Sequence, residues 1–137
     1  MITAVDSSVL LDVLGADPKY GELSREALRR AFGAGALVAC EVVWAEVRAH
    51  FATDDDCREV FASLGVRFDA LSAETALHAG RLWREYLGRR RNPRGRVIAD
   101  FLIGAHALRE AGALLTRDRG FYRDYFRDLR VLDPTSR

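Results

Sequence analysis

Four acidic residues sit at positions where a carboxylate is hard to accommodate. Asp6 ends the apolar run Ile2-Thr3-Ala4-Val5, and Asp118 closes Leu114-Leu115-Thr116-Arg117-Asp118. Asp100 lies in Val97-Ile98-Ala99-Asp100-Phe101-Leu102-Ile103-Gly104. If that segment is helical, Ile103, Gly104, Ala107 and Leu108 share the face of Asp100, which is then apolar. Glu46 follows Val42 and Val43 by four and three residues, again on one helical face. An uncompensated carboxylate in apolar surroundings is costly, so each acid requires a partner. One solution is a salt bridge to an arginine. The other is a shared cation. An oxygen-only donor set, without His or Cys, suits Mg²⁺ or Mn²⁺ rather than zinc. Such a site can support phosphodiester hydrolysis without a nucleophilic side chain.

The remaining pattern supplies elements to carry these acids. Short apolar runs at 2–6, 36–40, 66–68, 113–115 and 130–132 read as strands. Between them, helices are expected at 7–14, from Asp17-Pro18 to about 32, at 41–51, 54–63, 72–90, 97–111 and 119–126. Ser7 or Ser8 is placed to cap the first helix. Gly33 and Gly35 are placed to end the second. Pro93 and Gly95 mark 91–96 as a loop. Apolar strands alternating with helices predict an α/β fold, a three-layer α/β/α sandwich around a parallel sheet. Such sheets bind ligands beyond the carboxyl ends of their strands, where the strand order reverses. Asp6 and Asp118 both follow strands.

In these segments the chain resembles a PIN domain of the VapC toxin type. The resemblance is carried by Val5-Asp6-Ser7-Ser8-Val9-Leu10-Leu11-Asp12, by Trp44-Ala45-Glu46-Val47, by Ile98-Ala99-Asp100-Phe101-Leu102-Ile103-Gly104-Ala105-His106-Ala107, and by Leu114-Leu115-Thr116-Arg117-Asp118-Arg119-Gly120-Phe121-Tyr122. It implies a Mg²⁺- or Mn²⁺-dependent endoribonuclease with Asp6, Glu46, Asp100 and Asp118 as catalytic and metal-holding residues. Ser7 and Thr116 match small polar positions beside this quartet. The resemblance further implies a homodimer and a cognate antitoxin protein that places a segment near the acids.

Candidate RNA contacts are Arg91, Arg94 and Arg96 before the Asp100 helix, with Arg117 and Arg119 flanking Asp118. Arginine's planar fork matches phosphate oxygens. Tyr86, Phe121 and Tyr122 are candidate stacking partners for bases, with core packing as the other reading. His50, His78 and His106 form no metal pair or nucleophilic triad and read as structural or surface residues.

Composition narrows the function classes. The 137 residues, 49% of them hydrophobic, fit one domain with one core, spanning 1–137. A net charge of +1 leaves nucleic-acid binding to local patches rather than to overall charge. No apolar run is long enough to cross a membrane, and the first residues lack a secretory pattern, so a cytoplasmic protein is expected. Cys40 and Cys57 read as buried thiols. A receiver domain would need adjacent acids after the first strand, but Ser7 follows Asp6. A haloacid-dehalogenase-like phosphatase would need an acid at Ser8. The Gly-x-x-x-x-Gly-Lys signature of a P-loop is absent. A DNA-cutting relative with a helical arch would need a longer chain. A module that binds RNA or protein without cutting remains the alternative to the ribonuclease.

Overall fold

The computed structural model describes residues 1–89 and 96–136. In chain order they form β1 (Ile2–Val5), α1 (Ser7–Leu14), α2 (Gly21–Ala34), β2 (Ala36–Ala39), α3 (Glu41–Arg48), α4 (Asp54–Leu64), β3 (Val66–Phe68), α5 (Ala73–Arg89), α6 (Ile98–Glu110), β4 (Ala113–Leu115), α7 (Arg119–Tyr125) and β5 (Val131–Leu132). The strands pair in the order β3-β2-β1-β4-β5, all parallel. The chain builds outward from β1 to β3, then returns to β4 on the other side of β1. Right-handed crossovers in opposite directions put the two sets of helices on opposite faces, which gives the expected three layers. The reversal falls between β1 and β4, where Val5 is in register with Leu115. The residues after those two strands therefore emerge side by side.

Local chemistry accounts for most boundaries. Thr53 caps α4, its hydroxyl accepting from the Asp56 N–H at 3.1 Å. Gly65 ends that helix in the left-handed region, at φ 72°. The start of α2 departs from expectation. Asp17-Pro18 does not open the helix, because the Asp17 carboxylate accepts from the N–H groups of Lys19 and Tyr20, at 2.9 and 2.8 Å, and holds a turn. The helix begins at Gly21, and Gly33 lies inside it, so only Gly35 follows its end. Neither Ser7 nor Ser8 caps α1. Asp6 occupies the cap position, and both serines point their hydroxyls at acids.

The face covered by α5, α6 and α7 is held by aromatic rings. Phe101 on α6 is fully buried. Its ring lies 5.5 Å from Tyr86 of α5 and 5.2 and 5.3 Å from Phe121 and Tyr125 of α7. These are the offset and edge-on distances that aromatic pairs favour. Tyr86, Phe121 and Tyr122 are buried here, so the base-stacking reading gives way to packing. Gly104, one turn after Asp100, lets α6 approach the buried Phe126 closely. A methyl there would stand 2.4 Å from the Phe126 ring. Gly104→Ala is expected to destabilise the fold by about 1–3 kcal/mol through overpacking, read as a lower urea midpoint. An unchanged midpoint would show that α6 does not depend on this contact.

Candidate active site

The carboxyl ends of β1 and β4 form the floor of a cleft of about 410 Å³ lined by Asp6, Ser7, Ser8, Asp100, Arg117 and Asp118. Asp6 follows β1, and its N–H donates to the Leu115 carbonyl at 3.0 Å, which extends the β1–β4 ladder into the site. Its side chain is buried. Oδ2 accepts from the Thr116 hydroxyl at 2.7 Å and from Ser8 at 3.2 Å. Both donors are neutral. Asp100 stands in the first turn of α6, where its carboxylate accepts from the Val97 N–H at 3.2 Å. It is half-buried, as its apolar face predicts. Glu46 departs from that expectation. It is exposed at the mouth of the site, and Val43 and Val47 turn inward instead. The Ser7 hydroxyl donates to Glu46 Oε1 at 3.0 Å and links α1 to α3. Asp118 precedes α7, and its N–H donates to the Thr116 hydroxyl at 3.0 Å.

The charge balance shows that the four acids share one electrostatic environment. Burial pushes the Asp6 carboxyl above the ordinary range, and the charge of Asp100 adds to this against the lowering effect of its hydrogen bonds. Desolvation likewise raises Asp100, with Asp118 contributing. Glu46 is raised by desolvation, then by Asp6 and Asp100. Tyr122 lies beneath them. Burial, then the charges of Asp6, Asp100 and Asp118, hold its hydroxyl protonated far above the usual tyrosine value. Among the described residues, no salt bridge reaches Asp6, Glu46 or Asp100. Among the described residues, the arginine solution offered by the sequence applies within the quartet to Asp118 alone.

These raised values fix the sign of a pH effect. A carboxyl that holds its proton more tightly in the fold contributes stability that is present below its unfolded value and lost as pH rises through its folded value. In protein stripped of divalent cations, the thermal midpoint is therefore expected to fall as pH rises above the ordinary carboxylate range. Asp17 and Asp54, lowered by backbone N–H donors and by Arg48 respectively, have the opposite sign and lose their contribution on acidification. A midpoint that stays flat in EDTA would contradict the raised state of these carboxyls, which desolvation sets first and neighbouring charge second.

The arginines divide sharply. Arg96 forms a fork on Asp118, Nη1 to Oδ2 and Nη2 to Oδ1, the latter at 3.1 Å, and its guanidinium covers the Phe121 ring at 4.4 Å. Arg117 is engaged with Asp12 rather than free at a rim. Arg119 points away from the acids, towards Ser136 at 3.0 Å. Arg91 and Arg94 lie outside the described residues. The sequence reading missed the donation from Ser8 to Asp6, the position of Tyr122 and the engagement of Arg117. Two consecutive serines after a strand-end acid were the available signal for the first. The other two depend on contacts remote in sequence.

The donor set, carboxylates and hydroxyls with Asp6 buried and without a cationic partner among the described residues, is one that fits a hard divalent cation. Among the described residues, only Asp69, His106 and Glu110 bring three candidate ligand atoms within 4.8 Å of one another. The quartet is therefore more open than a direct three-ligand cage. Mg²⁺ commonly keeps several waters, and an open cleft accommodates them. The His106 cluster is largely tied up by hydrogen bonds, with Glu110 Oε2, 3.7 Å from His106 Nε2, left without a partner among the described residues. His106 Nε2 meets Asp69 Oδ2 at 2.8 Å, and Glu110 Oε1 accepts from Ser72 N and Thr75 Oγ1, each at 3.1 Å. These bonds tie the segment after β3 to α6, which agrees with a structural role for His106.

A family profile for the PIN domain matches residues 3–126. No curated protein matches the chain by sequence. Among solved structures, VapBC2 from Rickettsia felis, bound to a promoter DNA fragment, is similar at 17% identity and a TM-score of 0.70, covering 97% of this chain and 98% of that one. VapBC-1 from nontypeable Haemophilus influenzae is similar at 19% identity and a TM-score of 0.69, covering 99% and 100%. VapC20 of Mycobacterium tuberculosis, described as a sarcin-ricin loop cleaving toxin, is similar at 16% identity and a TM-score of 0.58, covering 93% and 98%.

Proposed function

Because the chain belongs to the PIN domain family, we propose that it is a Mg²⁺- or Mn²⁺-dependent endoribonuclease, the toxin of a toxin–antitoxin pair. The observation that carries this reading is the buried Asp6, raised by burial and by Asp100, with only neutral donors at the point where the sheet reverses. Asp6, Asp100 and Asp118 would hold the ion, directly or through water, and Glu46 would complete the set. When bound, the ion would make water more nucleophilic and stabilise charge building on the phosphate.

This chain's own residues supply the rest. Thr116 and Ser8 orient the Asp6 carboxylate, and Ser7 restrains Glu46 at the mouth. Arg96 neutralises Asp118 in the resting protein, and its stacking on Phe121 keeps the fork beside Asp118. There it can move from the carboxylate to a phosphate of the RNA, since both present paired oxygens to the same donors. The structural neighbours solved as VapBC complexes support a protein antitoxin as partner. A homodimer and a cytoplasmic site of action complete the proposal. No helix of the described residues is long and apolar enough to cross a membrane.

The chemistry of the product ends tests this reading. Attack by water should leave a 5′-phosphate and a 3′-hydroxyl. A 2′,3′-cyclic phosphate would mean attack by the neighbouring ribose hydroxyl and would overturn it. RNA retarded in a gel but never shortened would favour a binding module.

A further inference from the structure

Asp12 is a second buried carboxylate near the cleft, and nothing in the proposed chemistry uses it. It is 5% exposed and lies on α1, one helical turn after Ser8 and on the same face. Arg117 grips it with two nitrogens, Nε to Oδ2 at 2.6 Å and Nη2 to Oδ1 at 3.0 Å. Ser24 of α2 donates to Oδ2 at 2.9 Å. The outer face of the guanidinium is covered by Tyr20, 4.0 Å from the ring centroid. Tyr20 is itself placed by the turn that Asp17 organises. The Arg117 fork is thus fixed by a carboxylate, an aromatic ring and α2, and it still lines the acidic cleft.

The two ends of this pair are informative. Arg117 lies between Thr116, which donates to Asp6, and Asp118. Asp12 lies on the helix that begins directly after Asp6 and carries Ser7 and Ser8. Thr116 alone joins the turn after β4 to Asp6 through one hydroxyl. The Asp12–Arg117 pair adds a second, charge-assisted tie between the same two segments, at the residue directly before Asp118. Two parallel bonds of this kind restrict rotation as well as separation.

We propose that Asp12 and Arg117 are positioning residues that set the separation of Asp118 from Asp6, and thereby the affinity of the cleft for a divalent cation. This rests on the cation-site reading above. It also explains why an arginine next to the acids is charge-balanced: a free guanidinium there would compete with the cation for the same oxygens. Asp12, whose two oxygens are taken by Arg117 and Ser24, would not itself hold the cation.

The test is calorimetric titration of Mn²⁺ into the full-length wild-type protein, Asp12→Asn, Ser24→Ala and Asp100→Asn, with the thermal midpoint of each. Asp12→Asn preserves shape and can still accept from Ser24, but it removes the charge that holds the fork. It should weaken Mn²⁺ binding about tenfold, the lower end of what losing a residue behind a metal ligand costs. Ser24→Ala lowers stability at the same carboxylate without releasing Arg117, and its Mn²⁺ affinity should match wild type. Arg117→Lys, which keeps the charge but not the fork, provides the same comparison if Asp12→Asn folds poorly. Wild-type affinity in Asp12→Asn or Arg117→Lys would overturn the inference while leaving the cation site intact. Equal weakening in Ser24→Ala would overturn it too, by reducing the effect to local stability. If the wild type shows no Mn²⁺ binding that Asp100→Asn removes, the cation-site reading fails and this inference fails with it.

Discussion

Asp100→Asn should abolish RNA cleavage while leaving the protein folded and slightly more stable. The expected loss is on the order of a thousandfold or more, the scale of losing a group that stabilises charge in the transition state. The stability gain follows from the electrostatics. Asp100 is raised by desolvation and by Asp118, so its ionised form works against the fold at neutral pH. Asparagine keeps an oxygen to accept from the Val97 N–H, so the first turn of α6 keeps its bond. Cleavage assays and thermal melts at pH 8 in EDTA measure the two effects separately. An inactive variant that also melts well below wild type would point to a structural carboxylate instead.

Thr116→Val should lower cleavage by about 10- to 100-fold at limiting metal, the range seen when partners of metal ligands are removed. The substitution preserves shape in a fully buried position. It removes the hydroxyl that donates to Asp6 at 2.7 Å and accepts from the Asp118 N–H at 3.0 Å. One hydroxyl fixes two members of the quartet. Its loss also leaves a backbone N–H without its partner, which costs about 1–3 kcal/mol. Thr116→Ser retains the hydroxyl and should recover most of the activity, whereas stability alone would not separate the two variants in this way. Raising Mn²⁺ should restore part of the Val variant's rate. A Val variant as active as wild type at all metal concentrations would remove Thr116 from the site.

The sheet and the acids were legible for related reasons. The central strands β1, β2 and β4 are short, largely apolar runs bounded by turn chemistry, and a buried parallel strand needs little else. Asp6 and Asp118 are recognisable because they follow such runs, and Asp100 because its helical neighbours Ile103, Gly104 and Ala107 are buried. Glu46 illustrates the limit of that inference. Val42 and Val43 precede it at helical spacing, but α3 is rotated so that Val43 and Val47 face inward and the acid faces the mouth. A difference of this size in helix rotation changes a side chain from buried to exposed, and local spacing does not fix it.

The arginines were legible in kind but not in role. Arg117 sits 105 residues from Asp12, and Arg96 is 22 residues from Asp118. Which acid each arginine meets is decided by the strand order β3-β2-β1-β4-β5, which brings β4 beside β1. The start of α2 shows the converse case, where a side chain overrides a helix signal. Pro18 favours a first turn, but the Asp17 carboxylate takes the two N–H groups that follow and delays the helix to Gly21.

The most direct test of the account is cleavage of bacterial total RNA by the purified protein with Mg²⁺ or Mn²⁺, beside an EDTA control and Asp6→Asn. Discrete fragments that disappear in both controls are the predicted result, and they would identify the target RNA as well. Fragments that persist in EDTA, or in Asp6→Asn with the metal present, would contradict a metal-dependent site built on the end of β1.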